Sequence, residues 1–251
     1  ESEHGPRGRR LDWLNIWFAW IGLCGAMVLL VLLFFTDTLR HDITISRWHD
    51  LTWLSWAGAV AYLIHNVEEY GIDLTGQSYA FPASFCGLFG FRDVAACPAP
   101  SAFFTSVNVP MFWFAAPIAA MLSKRHPLVG LTIYSVMSVN LVMHVIGGIA
   151  AGTIYNPGWL TAFLLFLPLT IWMVRTLFGK GKLRYGALIY LVGWGVMLHL
   201  ILAGSILPLM KGLSSSPTPV IFIQVINACL VLVAPWLAER WRGGILLCAG
   251  H

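Results

Sequence analysis

The stretch Leu14–Phe35 reads LNIWFAWIGLCGAMVLLVLLFF and contains no charged side chain. A helix needs about 20 predominantly apolar residues to cross the roughly 30 Å hydrocarbon core of a bilayer, and this stretch is long enough. It is too long for the apolar core of a typical signal peptide, and no small-residue cleavage signal follows it. The stretch therefore predicts a membrane-spanning helix that stays in the mature protein.

Six further apolar runs follow it along the chain: Thr52–Tyr70, Phe103–Leu122, Leu128–Ala151, Trp159–Leu177, Tyr185–Leu209 and Val220–Leu237. Only 10% of the residues are charged, 58% are hydrophobic, and the mean hydropathy is +0.76. A soluble domain keeps roughly a quarter of its residues charged to cover its surface. We therefore predict an all-α, polytopic membrane helix bundle of about seven transmembrane helices that is solvated by membrane lipid. The net charge of +4 is small and dispersed, so we expect no nucleic-acid partner.

The charge pattern divides the chain into one membrane domain with two tails. We expect a polar N-terminal tail at residues 1–13, a transmembrane helical domain at residues 14–238 and a C-terminal tail at residues 239–251. Ten of the fifteen Lys and Arg residues lie after the first, third, fifth and seventh runs, which predicts a cytoplasmic C-terminus. An extramembrane loop at residues 71–102 then lies outside, where Cys86 and Cys97 can pair in an oxidising compartment.

The second run carries three polar side chains that are costly in a membrane helix: His65, Glu68 and Glu69. A charged side chain near the middle of such a helix costs about 2.5–3.5 kcal/mol on insertion scales. Offsets of three and four residues return to one helix face, so these side chains can converge on one point. They can then bind a metal, or mutual repulsion can keep one carboxyl group protonated as a general acid. A wetted cap at the helix end is the simpler alternative.

Other polar residues fall at a similar depth. His144 and His199 lie in the fourth and sixth runs, which cross the membrane in the same direction as the second. At 1.5 Å per residue, all three histidines lie roughly 20–24 Å from the start of their helices. Four amides fall in the same half of the bilayer, and we predict that they orient a bound group: Asn108, Asn140, Gln224 and Asn227. Imidazole and carboxylate ligands suit zinc, iron or manganese, so the predicted metal ligands are His65, Glu68, His144 and His199.

The pattern His65-x-x-Glu68-Glu69 near the end of an early membrane helix resembles the signature of the bacterial HXXEE membrane-protein family. Asn140-x-x-x-His144 and Tyr155-Asn156-Pro157-Gly158 are similar in kind, so the resemblance covers about residues 54–166. The resemblance implies a polytopic bacterial membrane protein, and with a cytoplasmic C-terminus this places the chain in a bacterial inner membrane. Because that family is largely uncharacterised, the resemblance assigns no reaction. The glutamate pair Glu68-Glu69 also gives the chain a weaker similarity to CAAX-type intramembrane proteases. In that family an arginine follows the pair, whereas this chain has Asp73 at that position.

Three functions remain open from the sequence, besides a purely structural membrane subunit in which His65 and Glu68 are dispensable. The first is a membrane-embedded metalloenzyme of hydrolase or oxidoreductase type that acts on a lipid-like or isoprenoid substrate, with Glu69 moving protons. The second is a metal-free terpene cyclase in which Glu68 or Glu69 donates a proton and aromatic rings stabilise a carbocation. The third is a proton-coupled transporter, because buried His and Glu residues relay protons in such proteins.

Overall fold

The computed structural model describes residues 9–179 and 182–246, which form helices joined by short loops. The helices are α1 Arg9–Phe35, α2 Leu51–Asn66, α3 Ala80–Leu88, α4 Ser101–Asn108, α5 Ala116–Leu122, α6 Pro127–Ala151, α7 Trp159–Thr161, α8 Leu167–Leu177, α9 Tyr185–Met210 and α10 Thr218–Leu246. Residues 1–8 of the predicted N-terminal tail and residues 247–251 of the predicted C-terminal tail lie outside the described residues. Residues 239–246 of that C-terminal tail continue helix α10.

Three π-helical segments lengthen these helices. Val67–Gly71 extends α2, Val109–Ala115 joins α4 to α5, and Ala162–Phe166 joins α7 to α8. Proline accompanies two of them, with Pro110 inside the second segment and Pro168 just after the third, and a proline removes one donor from the regular helical ladder. Wider turns of this kind are frequent at functional sites.

Among the described residues, six helices are long and apolar enough to cross a membrane: residues 13–35, 101–122, 127–151, 159–177, 185–210 and 218–241. They coincide closely with six of the predicted runs, so the expectation of a helical membrane bundle is confirmed. The remaining predicted run forms α2 and its π-helical extension, and this element carries the polar residues. Large apolar side chains on the other helices, such as Phe35, Ile189 and Phe222, stay exposed, as expected for a surface that faces lipid.

Helix α2 differs from the others because protein surrounds it on nearly all sides. Fourteen of its sixteen residues are buried, and it packs against α1, α5, α6 and the end of α8. Gly58 allows the close approach of α6, since a Cβ there would lie 2.7 Å from Ile133 Cγ2. Neighbouring helices therefore shield α2 from lipid, and its polar end can be satisfied by protein groups.

The segment predicted as an extramembrane loop contains helix α3 and a disulfide bond. Cys86 and Cys97 are bonded, with their Cα atoms 6.0 Å apart. Phe81, Phe85 and Phe89 project from α3 and its end, and Phe81 and Phe85 contact Phe104 of α4. The segment is thus an ordered aromatic cover over the polar end of α2.

Candidate metal centre

Three buried side chains from two helices meet at the end of α2. His65 and Glu69 come from α2 and its π-helical extension, and His144 comes from α6. Glu69 Oε1 lies 3.4 Å from Nε2 of His65 and 3.4 Å from Nε2 of His144, and the two Nε2 atoms are also 3.4 Å apart. The exposed fractions of His65, Glu69 and His144 are 0%, 3% and 4%. We refer to these three residues as the His/Glu group.

Hydrogen bonds at the far side of each imidazole orient both rings. Asn156 Nδ2 donates to the carbonyl oxygen of His144, which leaves Asn156 Oδ1 as the acceptor 2.6 Å from His144 Nδ1. The Thr161 hydroxyl donates to Glu68, so it accepts from His65 Nδ1 at 2.8 Å. Both Nδ1 atoms therefore carry hydrogen, and in a neutral imidazole the opposite Nε2 presents a lone pair. This is the arrangement of metal-ligating histidines, whose other nitrogen donates to a fixed acceptor.

The separations in the His/Glu group match a metal coordination shell. Donor atoms bound about 2.1 Å from a tetrahedral zinc ion lie about 3.4 Å from one another, because the edge of a tetrahedron is about 1.6 times the distance from its centre to a corner. Two imidazole nitrogens and one carboxylate oxygen are ligands of zinc and of non-haem iron. The three lone pairs converge on one point, and a cation or a shared proton relieves their repulsion. The group could therefore hold a metal ion.

Glu68 lies outside the His/Glu group and performs a different task. Its carboxylate accepts from the backbone nitrogens of Leu160 and Thr161, at 3.1 and 2.7 Å, and from the Thr161 hydroxyl at 2.5 Å. It thus caps the first turn of α7 from a neighbouring helix, where the helix dipole favours a negative charge. The link Glu68–Thr161–His65 connects this cap to the His65 ring of the His/Glu group. Within the described residues, no Lys or Arg forms an ion pair with Glu68 or Glu69.

Gly158 closes the group from the side of the α6–α7 loop. Its φ of +96° belongs to the left-handed region that favours glycine. A Cβ built on Gly158 would collide with the His144 ring and would lie 2.8 Å from Cε1 of His65. Only a glycine therefore lets the backbone pass this close to both imidazoles.

A cavity of about 300 Å³ adjoins the His/Glu group. Glu69 and His144 form part of its wall, whereas His65 is not among the lining residues. Most of the remaining wall is aromatic or aliphatic and includes Phe81, Phe85, Phe104, Phe112 and Met111. Tyr62 stacks on Phe112 with the ring centres 3.5 Å apart and accepts a hydrogen bond from Asn140. The cavity can therefore accommodate an apolar molecule next to the polar group.

The structure divides the predicted site residues into three sets. The first set, His65, Glu69 and His144, is brought together. The second set lines the adjoining cavity without joining the His/Glu group and comprises His199, Asn108, Asn140 and Asn227. The third set supports its neighbours: Glu68 caps α7, and Gln224 bonds to Ser205 and Asn227.

Two metal ligands predicted from the sequence thus lie outside the group that the structure assembles. Glu68 differs because the tight turn of α7 occupies its carboxylate. His199 differs because its Nδ1 bonds to the carbonyl oxygen of Gly195, one turn back in α9, and its ring lines another part of the cavity. Equal depth along helices does not specify the direction in which each side chain points.

Asn156, Gly158 and Thr161 were not predicted as site residues. Asn156 and Gly158 occur in the Tyr155-Asn156-Pro157-Gly158 stretch that resembles the HXXEE family, which was the available signal. Thr161 is a polar residue in the first turn of an apolar run, where a wetted helix end explains it equally well. Their roles follow from the return of the α6–α7 loop to the end of α2.

These features define a helical membrane protein with a buried His/Glu group that could hold a metal ion. Residues 56–173 match the model of a family described as "Protein of unknown function with HXXEE motif". The match includes every member of the His/Glu group together with Glu68, Asn156, Gly158 and Thr161, and it confirms the predicted resemblance over these residues. Comparison with curated proteins and with solved structures gave no match.

Proposed function

We propose that this chain is a membrane-embedded metalloenzyme whose divalent ion is held by His65, Glu69 and His144. The observation that carries the proposal is the triangle formed by His65 Nε2, His144 Nε2 and Glu69 Oε1, whose sides are all 3.4 Å. Hydrogen bonds at Nδ1 orient both imidazole rings. Zinc, iron and manganese all accept this set of ligands, and zinc or iron with three protein ligands keeps a position for water or substrate.

The proposed substrate is a lipid-like or isoprenoid molecule that enters from the membrane. The support for this substrate is the aromatic cavity next to Glu69 and His144, because an apolar chain in such a cavity brings its polar end to the His/Glu group. With a bound ion, the site would have the parts of either a hydrolase or an oxidoreductase. In this proposal Glu68 positions His65 through Thr161 and does not bind the ion.

Metal analysis of purified protein tests the metal part of the proposal. We expect about one divalent ion per chain, and we expect Glu69→Gln and His144→Ala to lose it. Two control variants should keep it: His49→Ala changes a histidine on an exposed loop, and His199→Ala changes one outside the His/Glu group. A wild-type protein that binds no metal after incubation with zinc, iron(II) and manganese would contradict the proposal and favour a shared proton at the same atoms.

Turnover tests the enzymatic part separately. Metal-loaded protein in a detergent extract of membrane lipids should convert at least one lipid component, detected by mass spectrometry. The same conversion should persist in His49→Ala and disappear in His144→Ala. Bound metal without any conversion, together with metal uptake into vesicles that contain the protein, would instead indicate a transporter.

A further inference from the structure

A second set of polar residues, apart from the His/Glu group, lines the cavity and carries hydrogen-bond acceptors. Its residues are Asn140, His199 and Asn227, and we call them the acceptor wall. Asn227 is only 2% exposed, and its Oδ1 has no hydrogen-bond partner among the described residues. A buried acceptor without a donor is rare in folded proteins.

A chain of hydrogen bonds fixes the orientation of the Asn227 amide. The Ser205 hydroxyl donates to the carbonyl oxygen of Leu202 and accepts from Gln224 Nε2. Gln224 therefore presents Oε1 to Asn227, whose Nδ2 donates to it at 3.4 Å and to the carbonyl oxygen of Leu198 at 3.1 Å. A carbonyl only accepts, so the atom facing Leu198 is the nitrogen, and the unpaired atom is the oxygen.

His199 and Asn140 add acceptors of the same kind. His199 Nδ1 donates to the carbonyl oxygen of Gly195 at 2.8 Å, which leaves Nε2 of the neutral ring as an acceptor. Asn140 donates from Nδ2 to the Tyr62 hydroxyl, and its buried Oδ1 is also without a donor. Three residues that line a mostly apolar cavity therefore carry two unpaired, buried amide oxygens and one imidazole acceptor.

We infer that the acceptor wall recognises an O–H or N–H donor on an otherwise apolar ligand, such as an alcohol or an amine with a hydrocarbon chain. This inference rests on the proposed function only in identifying the ligand with the substrate. Helices α6, α9 and α10 supply the acceptors, whereas α2 and α6 supply the His/Glu group. The two polar walls thus contact different parts of one ligand, with aromatic side chains around the apolar part.

A matched set of ligands tests the inference. We expect decanol or decylamine to bind the wild-type protein in detergent about tenfold more tightly than methyl decyl ether, which has no donor. The two donor ligands distinguish a hydroxyl from an ammonium group. Binding is measured by the concentration dependence of the thermal unfolding midpoint. Equal binding of decanol, decylamine and the ether would overturn the inference and indicate that water satisfies the acceptor wall.

Variants locate the preference for a donor. Asn227→Leu should bind decanol and the ether equally, whereas Leu202→Ala, which trims an apolar part of the same cavity, should weaken both and keep their ratio. A preference for the donor ligand that survives unchanged in Asn227→Leu and in His199→Phe would contradict the assignment of the acceptor wall.

Metal content is measured on every sample. Bound metal without a donor preference refutes this inference alone, and a donor preference without metal refutes the proposed metalloenzyme alone.

Discussion

At the scale of single residues, Thr161 connects His65 with Glu68 at the end of α2. Its hydroxyl accepts from His65 Nδ1 and donates to Glu68, so it orients a proposed metal ligand while it helps to cap α7. The polar partners of metal ligands typically contribute 10–100-fold in metal affinity. Residues that do not touch the ion should therefore affect its binding strongly.

Thr161→Val tests this role with little change in side-chain volume. We expect metal affinity to fall by about 10–100-fold because His65 loses the acceptor that fixes its ring. Thr170→Val is the matched control in the same long helix, since the hydroxyl of Thr170 is buried without a partner. Competition with a metal-sensitive dye measures both affinities. Equal affinities in the two variants would contradict the link.

Gly158→Ala tests the close approach of the α6–α7 loop to both histidines. The new Cβ would displace the rings of His65 and His144, so we expect loss of bound metal as well as a lower unfolding temperature. Gly152→Ala is the matched control, because Gly152 also has a positive φ of +67° but has open space around it. The control should lose only about 1–2 kcal/mol of stability from backbone strain and should keep its metal. If Gly158→Ala retains its metal, the result would contradict the close approach of the α6–α7 loop to His65 and His144.

Part of the site could be predicted at this scale. His65, Glu69 and His144 were expected to meet because imidazoles and carboxylates are costly in apolar helices, and their positions in the sequence give a common depth. The different tasks of Glu68 and Glu69 could not be predicted, because they depend on the widened turn Val67–Gly71 and on the returning loop. Neither feature has a periodic signal in the sequence.

At the scale of helices, the close packing of α6 against α9 holds two walls of the cavity at a fixed distance. Helices α6 and α9 touch at Gly195, where an added Cβ would collide with the carbonyl oxygen of Ser135. Small residues of this kind let membrane helices approach one another. Since α6 carries His144 and α9 carries His199, this contact links the His/Glu group to the acceptor wall.

Gly195→Ala is therefore expected to separate α6 from α9 and to lower the unfolding temperature in detergent. Gly193→Ala lies one half-turn away in α9, has no atom within 4 Å of its added Cβ, and should be neutral or slightly stabilising because alanine favours helix. A thermal unfolding series measured by a thiol-reactive or intrinsic fluorescence signal checks both. Similar midpoints for the two variants would contradict the packing of α6 on α9.

The sequence predicted the helices well because run length and charge depletion are properties of single segments. The expected run Trp159–Leu177 has the same bounds as the helix that the structure contains. Helix α3 was instead expected to be loop, because a nine-residue helix with several aromatic residues has no membrane-length signal. In the structure its aromatic side chains pack against α4, and the bond between Cys86 and Cys97 ties it to the following loop.

At the scale of the whole molecule, chain connectivity places helix α3 and the end of α10 on opposite sides of the bundle. The bias of Lys and Arg predicts that the α10 end is cytoplasmic, which places the Cys86–Cys97 bond in the oxidising compartment. In that orientation the His/Glu group would lie in the outer half of the bilayer, beneath the aromatic cover of α3.

Labelling of single introduced cysteines in intact cells tests this orientation. Thr75→Cys lies on an exposed loop next to α3 and should react with a membrane-impermeant maleimide. Lys124→Cys lies on an exposed turn between α5 and α6 and should react only after the cells are broken. The reverse labelling pattern would contradict the predicted orientation and would show that the protein lies the other way round in the membrane. The geometry of the site would be unaffected.

The central claim is that His65, Glu69 and His144 bind one metal ion, and X-ray absorption spectroscopy of the purified, metal-loaded protein tests it most directly. We expect a nitrogen and oxygen shell at about 2.0–2.1 Å, with the outer scattering of two imidazoles that falls to one imidazole in His144→Ala. His199→Ala should leave the spectrum unchanged. A spectrum without imidazole scattering, or one that responds to His199→Ala and not to His144→Ala, would contradict the claim.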